Sequence, residues 1–163
     1  MSISKTIKKF LREQKVKKIL KTSKIGATTD LVIFHIKRNS DSIIKYDNLK
    51  LEFIKSSNHI RGAVGRRYIS IIVSEQYHDK LYNLFNENIV SIQKKVASIL
   101  VDCSRPDNKG EAVSGIINYI TSLLSEKNIN LYSFFTSQDE ITLIIDEENA
   151  YKYVDLVKKK LKA

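Results

Sequence analysis

Tryptophan is absent from this sequence of 163 residues, which has one proline, one cysteine and five glycines. Each shortage excludes something. A lone thiol, Cys103, cannot form an internal disulfide, so the chain is no disulfide-stapled secreted scaffold, and a reducing, cytoplasmic setting is the expectation. Scarce proline and glycine argue against a loop-rich or disordered chain, while 42% hydrophobic residues supply a real core for one ordinary domain or two small ones. No run approaches the roughly 20 apolar residues of a membrane span. The basic N-terminus has no apolar stretch behind it of the kind that makes a secretory signal. His35, His59 and His78 fall at no ligand spacing, so neither metal nor cofactor is expected. A catalytic Cys103 would need a base and an oriented partner; nothing signals either, and an inert buried thiol is the expectation. The chain reads as a binding protein, not an enzyme.

What is abundant is positive charge. The net charge is +10, and residues 1–24 hold nine basic side chains against Glu13 alone. Residues 102–163 are slightly acidic, with eight basic and ten acidic side chains. A basic front on a nearly neutral body fits an anionic partner such as nucleic acid, and fits equally a solvated lysine-rich helix.

Residues 2–21 read as an amphipathic helix, with Ile3, Ile7, Phe10 and Leu11 among lysines. Residues 30–38 read as a strand, and Leu49, Leu51 and Phe53 alternate with Lys50 and Glu52 as a half-buried strand would. Residues 56–67 read as a long hairpin loop, Tyr68–Ser74 as a strand, and Glu75–Asn86 as a helix. In the second half the pattern is a strand at Val96–Asp102, a helix over about Gly110–Lys127 with an apolar stripe from Val113 to Leu124, strands at Ile129–Thr136 and Glu140–Asp146, and a last helix after Asn149. The acidic run Asp146–Glu148 suits the start of that helix without a metal. Strand and helix order predict an α+β, ferredoxin-like layer of the βαββαβ type, with helices on one face of an antiparallel sheet.

Ile69–Phe85 also aligns without a gap on Ile141–Val157, an offset of 72 residues. A repeat is therefore expected, with an incomplete first copy, because no helix is evident between Lys37 and Leu49. The expected organisation is a basic N-terminal helix (1–24), a degenerate unit (25–92) and a full one (93–163). The N-terminal helix would cover the sheet face that the missing helix leaves bare.

The strand VASILVD, the polar turn ending at Gly110, the helix EAVSGIINYITSLLSEKN and the strand entry Asn128-Ile129-Asn130 resemble the ACT domain family over residues 96–163, in the style of aspartate kinases and small archaeal ACT proteins. Lys109 stands where the family often has proline. The resemblance implies a homodimer that binds an amino acid or similar metabolite near the loop between first strand and first helix. The implied ligand positions are Asp102, Ser104, Asn108, Lys109, Gly110 and Glu111, with Asn130 from the second strand. Helix N-terminal amides would favour a carboxylate there, and Asp or Asn would hold an ammonium group.

The alternative is an RNA- or ribosome-binding protein. Its phosphate contacts would be Lys5, Lys8, Lys9, Arg12 and Lys15 on the first helix, with Arg61, Arg66 and Arg67 in the segment RGAVGRR. That segment is no P-loop, because it lacks the Gly-Lys-Ser/Thr ending. Tyr46, Tyr68 and Phe53 are candidates for base stacking, with core packing the better use of Phe53.

Overall fold

Fourteen residues from Lys24 to Lys37 form strand β1, half again as long as the apolar run alone predicts. Around it a computed structural model describes residues 3–56, 60–104, 115–137 and 139–162, without the side chains of residues 3–8 and 12. Helix α1 spans Ile3–Thr22, α2 Ser40–Lys55, and β2 Arg61–Val64; β3 (Tyr68–Ser74) leads through a short 3-10 turn into α3 (His78–Phe85). Strand β4 follows (Ile89–Asp102), then α4 (Ile116–Glu126), β5 (Leu131–Thr136), β6 (Glu140–Asp146), another 3-10 turn and α5 (Ala150–Lys162). This is a mixed α/β fold in which helices flank antiparallel strands.

The chain divides into two compact units. One, residues 29–96, is inserted into the other, which joins residues 1–28 to 97–163. The inserted unit has the strand order β2-β3-β1, with Leu31 opposite Ser74 and Lys37 opposite Tyr68. In the split unit the order is β4-β6-β5. The two hairpins share one register: Gly62 faces Ile71 and Ala63 faces Ser70, as Phe134 faces Leu143 and Phe135 faces Thr142, each pair 72 residues on.

The segment 49–53 is helix, not strand. The Asn39 side chain accepts a hydrogen bond from the Ser42 N–H at 2.8 Å and caps α2. Buried Ser42, Tyr46, Leu49 and Phe53 then recur at helical spacing, while Leu51 of the apparent alternation is exposed. The first copy therefore does carry a helix after its first strand. Nor does α1 substitute for one: its Val16 and Leu20, both buried, belong to the core of the split unit with Ile120, Leu143, Tyr153 and Val157. The inserted unit fills its own core with Phe34, Tyr46, Phe53, Ile71, Leu81 and Phe85.

The predicted 56–67 loop is also partly strand, since Arg61–Val64 pairs with β3. Gly62 is required there, because a Cβ would collide with the Tyr46 hydroxyl and sit 2.8 Å from the Ser70 carbonyl. In α4 the stripe is narrower than predicted, for Ile117 is exposed, and Val113 lies outside the described residues. Gly115, at φ 109°, opens the described helix in a conformation other residues rarely adopt. The buried Tyr153 hydroxyl donates to the Ile120 carbonyl at 2.6 Å and ties α5 to α4; burial pushes its phenol far above the ordinary value.

Candidate functional site

Strand β4 ends at Asp102, and the chain turns at once. The Ser104 hydroxyl and its backbone N–H, the latter at 2.9 Å from Oδ1, hydrogen-bond the Asp102 carboxylate and hold its pKa below the ordinary value. The result is a firmly ionised carboxylate beside an exposed serine, suited to receiving a cationic group. Cys103 points its side chain inward, while its N–H donates to the Asp139 carbonyl at 2.7 Å, fixing the loop entrance to the start of β6. Asn108, Lys109, Gly110 and Glu111 lie outside the described residues.

Asn130 does not join Asp102 within one unit. The strand it precedes begins with Leu131 opposite Ile145, at the far end of β6 from Asp139. Six residues of strand separate the two ends by roughly 20 Å. Asn130 is exposed and lines a recess of about 450 Å³ with Thr121 and Asn128. Its side chain also hydrogen-bonds the Tyr132 hydroxyl, which donates to Asp146 Oδ1 at 2.7 Å; this carboxylate contact is the main reason that the phenol pKa is raised.

The arginines are arranged differently from a single loop. Arg61 is half-buried on β2, whereas Arg66 and Arg67 are exposed in the β2–β3 turn. Two further cations, Lys37 and Arg38, distant in sequence, join them. The Arg38 N–H donates to the Arg67 carbonyl at 2.9 Å, its guanidinium reaches the Gly65 carbonyl at 3.3 Å, and Lys37 pairs across from Tyr68. Only strand register reveals this cluster. Lys9 and Lys15 are exposed on α1; the side chains of Lys5, Lys8 and Arg12 lie outside the description. Tyr46 and Phe53 are buried and so are unavailable for base stacking, while Tyr68 is exposed. Among the described residues no cluster of His, Cys, Asp or Glu is arranged to hold a metal, and no helix is long and apolar enough to cross a membrane.

No family profile matches the sequence, and no curated protein matches it. Solved structures do. The aspartate kinase of Clostridium acetobutylicum superposes with a TM-score of 0.62 at 15% identity, over 83% of this chain and 33% of the enzyme. The aspartokinase alpha and beta subunits give 0.65 at 12% identity, over 85% of this chain and 97% of theirs. The ligand-free regulatory subunit of aspartate kinase from Thermus thermophilus gives 0.62 at 12% identity, over 85% of this chain and 95% of that one. The chain thus spans about a third of the clostridial enzyme and nearly all of the Thermus subunit. At such identities the likeness is one of fold, in keeping with an ACT-like topology.

Proposed function

We propose that the chain is a non-catalytic regulatory module of ACT type, which binds an amino acid or similar small metabolite and passes that event to a partner. The observation that carries this reading is the fold's match to nearly the whole of a regulatory subunit. Each unit is read as a βαββαβ module, β1 and β4 each lending residues to both. The ionised Asp102 then receives the ammonium group, and Asn108, Lys109, Gly110 and Glu111 belong to the same proposed site.

Asn130 enters from a second copy. Strand β5 ends the strand order of its unit, so its outer edge is free to pair with another β5 about a two-fold axis. Such pairing is antiparallel and brings the start of one β5 beside the end of the other. The end of β5 lies at the Asp139 turn, whose carbonyl accepts from the Cys103 N–H, so in this arrangement the partner copy's Asn130 comes to the same end of the sheet as Asp102. A homodimer thereby completes a site that one copy leaves open. Titration calorimetry of the full chain against the twenty amino acids tests this, with sedimentation to read the dimer. Heat from one or two amino acids, lost in Asp102→Asn and in Asn130→Ala, is expected; silence for all twenty removes the ligand.

The cluster of Lys37, Arg38, Arg66 and Arg67 favours the second reading, RNA or ribosome binding. A salt-sensitive shift of RNA mobility, weakened by Arg66→Ala with Arg67→Ala or by removal of residues 1–24, supports it. No shift at low salt ends it.

A further inference from the structure

The helix pairs of the two units enclose repeat-related grooves with opposite charge economies. Between α2 and α3 the inserted unit's groove contains Lys80, Asn83 and Leu84; 72 residues on, the split unit's groove between α4 and α5 contains Lys152, Asp155 and Leu156. In the first groove the lysines are neutralised from within: Lys80 pairs with Glu52, and Lys45 with Asp41 at 2.7 Å. In the second, Lys127, Lys152 and Lys159 line the groove with one carboxylate, Asp155; among the described residues no carboxylate, Asp155 included, lies within ion-pair distance of any of the three lysines. Lys152 and Lys159 stand two turns apart on one face of α5, with Asn149 a turn before them. Lys127 follows the last turn of α4. The Leu124 and Ser125 carbonyls there already accept bonds from the N–H groups of Lys127, Asn128 and Ile129, so that helix end presents fewer free carbonyls against an anion. Half-buried Ile129 and Leu156 form an apolar floor. The groove holds about 480 Å³, the size of a small-ligand site.

We infer that the α4–α5 groove binds a small organic anion, its apolar body on Ile129 and Leu156 and its negative groups between Lys127 and the pair Lys152 and Lys159. The site uses none of the residues of the Asp102 loop and prefers the opposite charge. Three lysines against the single carboxylate of Asp155 leave the groove with a net positive charge that attracts an anion. Because the lysines are exposed, the attraction weakens with salt.

The probe is anilinonaphthalene sulfonate, an apolar ring system with one sulfonate, titrated into the full chain by fluorescence and by backbone amide shifts. Saturable binding is expected, with shifts confined to residues 127–131 and 149–159 and competition by inorganic pyrophosphate. Lys152→Gln with Lys159→Gln keeps two exposed helix-forming residues and should weaken binding about tenfold or more. Lys80→Gln in the other groove should leave it within about twofold, as expected for an exposed lysine remote from the ligand. Shifts mapping elsewhere overturn the proposal. So does a natively folded double variant that still binds the probe as tightly as the parent. Loss of folding in that variant, read from its amide spectrum, moves the test to Lys127→Gln, for which the same tenfold criterion decides.

Discussion

Two units repeat one design: strand, 3-10 turn, amphipathic helix, in an identical hairpin register, yet they are filled differently. The inserted unit packs its own rings, Tyr46, Phe53 and Phe85, against its sheet. Among the described residues the split unit buries one ring, Tyr153, with half-buried Tyr119 packed against the cluster, and takes Val16 and Leu20 from α1 into it. The difference teaches that the pattern fixes which face is apolar, while volume can come from any element that reaches it. Leu20→Ala is the sharpest way to break the comparison. A fully buried leucine truncated in a core costs about 2–5 kcal/mol. Hydrogen exchange should show the loss at Leu143 and Tyr153 with Ile71 and Phe53 still protected. Equal loss in both units would show that their cores are not separate.

At one repeat position a glycine in one unit stands where the other has an aromatic ring. Gly62 in β2 corresponds to Phe134 in β5, and both face the same register position of the neighbouring strand. Glycine is needed only where the Tyr46 ring crosses β2; Phe134 is 51% exposed and meets no such ring. Gly62→Ala should therefore cost about 1–3 kcal/mol by overpacking. Phe134→Ala should stay within about 0.5 kcal/mol, as other exposed positions do. Tyr46→Phe removes the nearest colliding atom, so it should recover part of the Gly62→Ala loss in a double-mutant cycle read by chemical denaturation. Additive losses would mean that the Ser70 carbonyl at 2.8 Å or the ring Cζ at 2.9 Å, not the hydroxyl, sets the limit.

How much of this was legible in the sequence differs between the units for physical reasons. The split unit announces itself because Ile116, Ile120, Leu123 and Leu124 recur at helical spacing and β6 carries Ile141, Leu143, Ile144 and Ile145. Helix α2 hides because charged Asp41, Lys45, Asp47, Lys50 and Glu52 dilute its apolar face, and one of its inward residues is a serine. Its clearest mark was Asn39, a capping residue three places before the buried Ser42. Asp102 and Ser104 were legible as a strand end and its turn. The separation of Asn130 from them was not, since it follows from the direction of β6. The α4–α5 groove was invisible for the same reason: its lysines come from two elements that only packing unites.

A smaller contrast sits on the neighbouring strands β3 and β6. Ser70 and Thr142 occupy one repeat position, but Ser70 shares a 3.0 Å hydrogen bond with His35 Nδ1, whereas the buried Thr142 hydroxyl has no partner among the described residues. Substitutions should therefore have opposite signs. Thr142→Val keeps the shape, discards an unsatisfied polar group and should stabilise by about 1 kcal/mol. Ser70→Ala breaks a made bond and should destabilise by about 1 kcal/mol. Thermal melts of both variants settle the contrast; a destabilised Thr142→Val would mean that its hydroxyl is satisfied by water.

The same pair makes the units differ in their response to acid. Burial lowers the His35 pKa below its ordinary 6.5, because the charged ring is poorly solvated between β1 and β3. An unfolded chain then binds a proton at a pH where the folded chain does not, so stability rises with pH across the interval between the two values. The contribution is complete above 6.5 and is lost as the pH falls from there towards the lower folded value. Amides of Val32, Phe34 and Ile71 should lose exchange protection between pH 7 and pH 5, beyond the intrinsic pH dependence of exchange, while those of Leu143 and Ile145 hold theirs. His35→Gln should flatten that response. If the acid sensitivity persists in His35→Gln, the titrating group is another one, and the imidazole is no more than a strand residue with a hydroxyl neighbour.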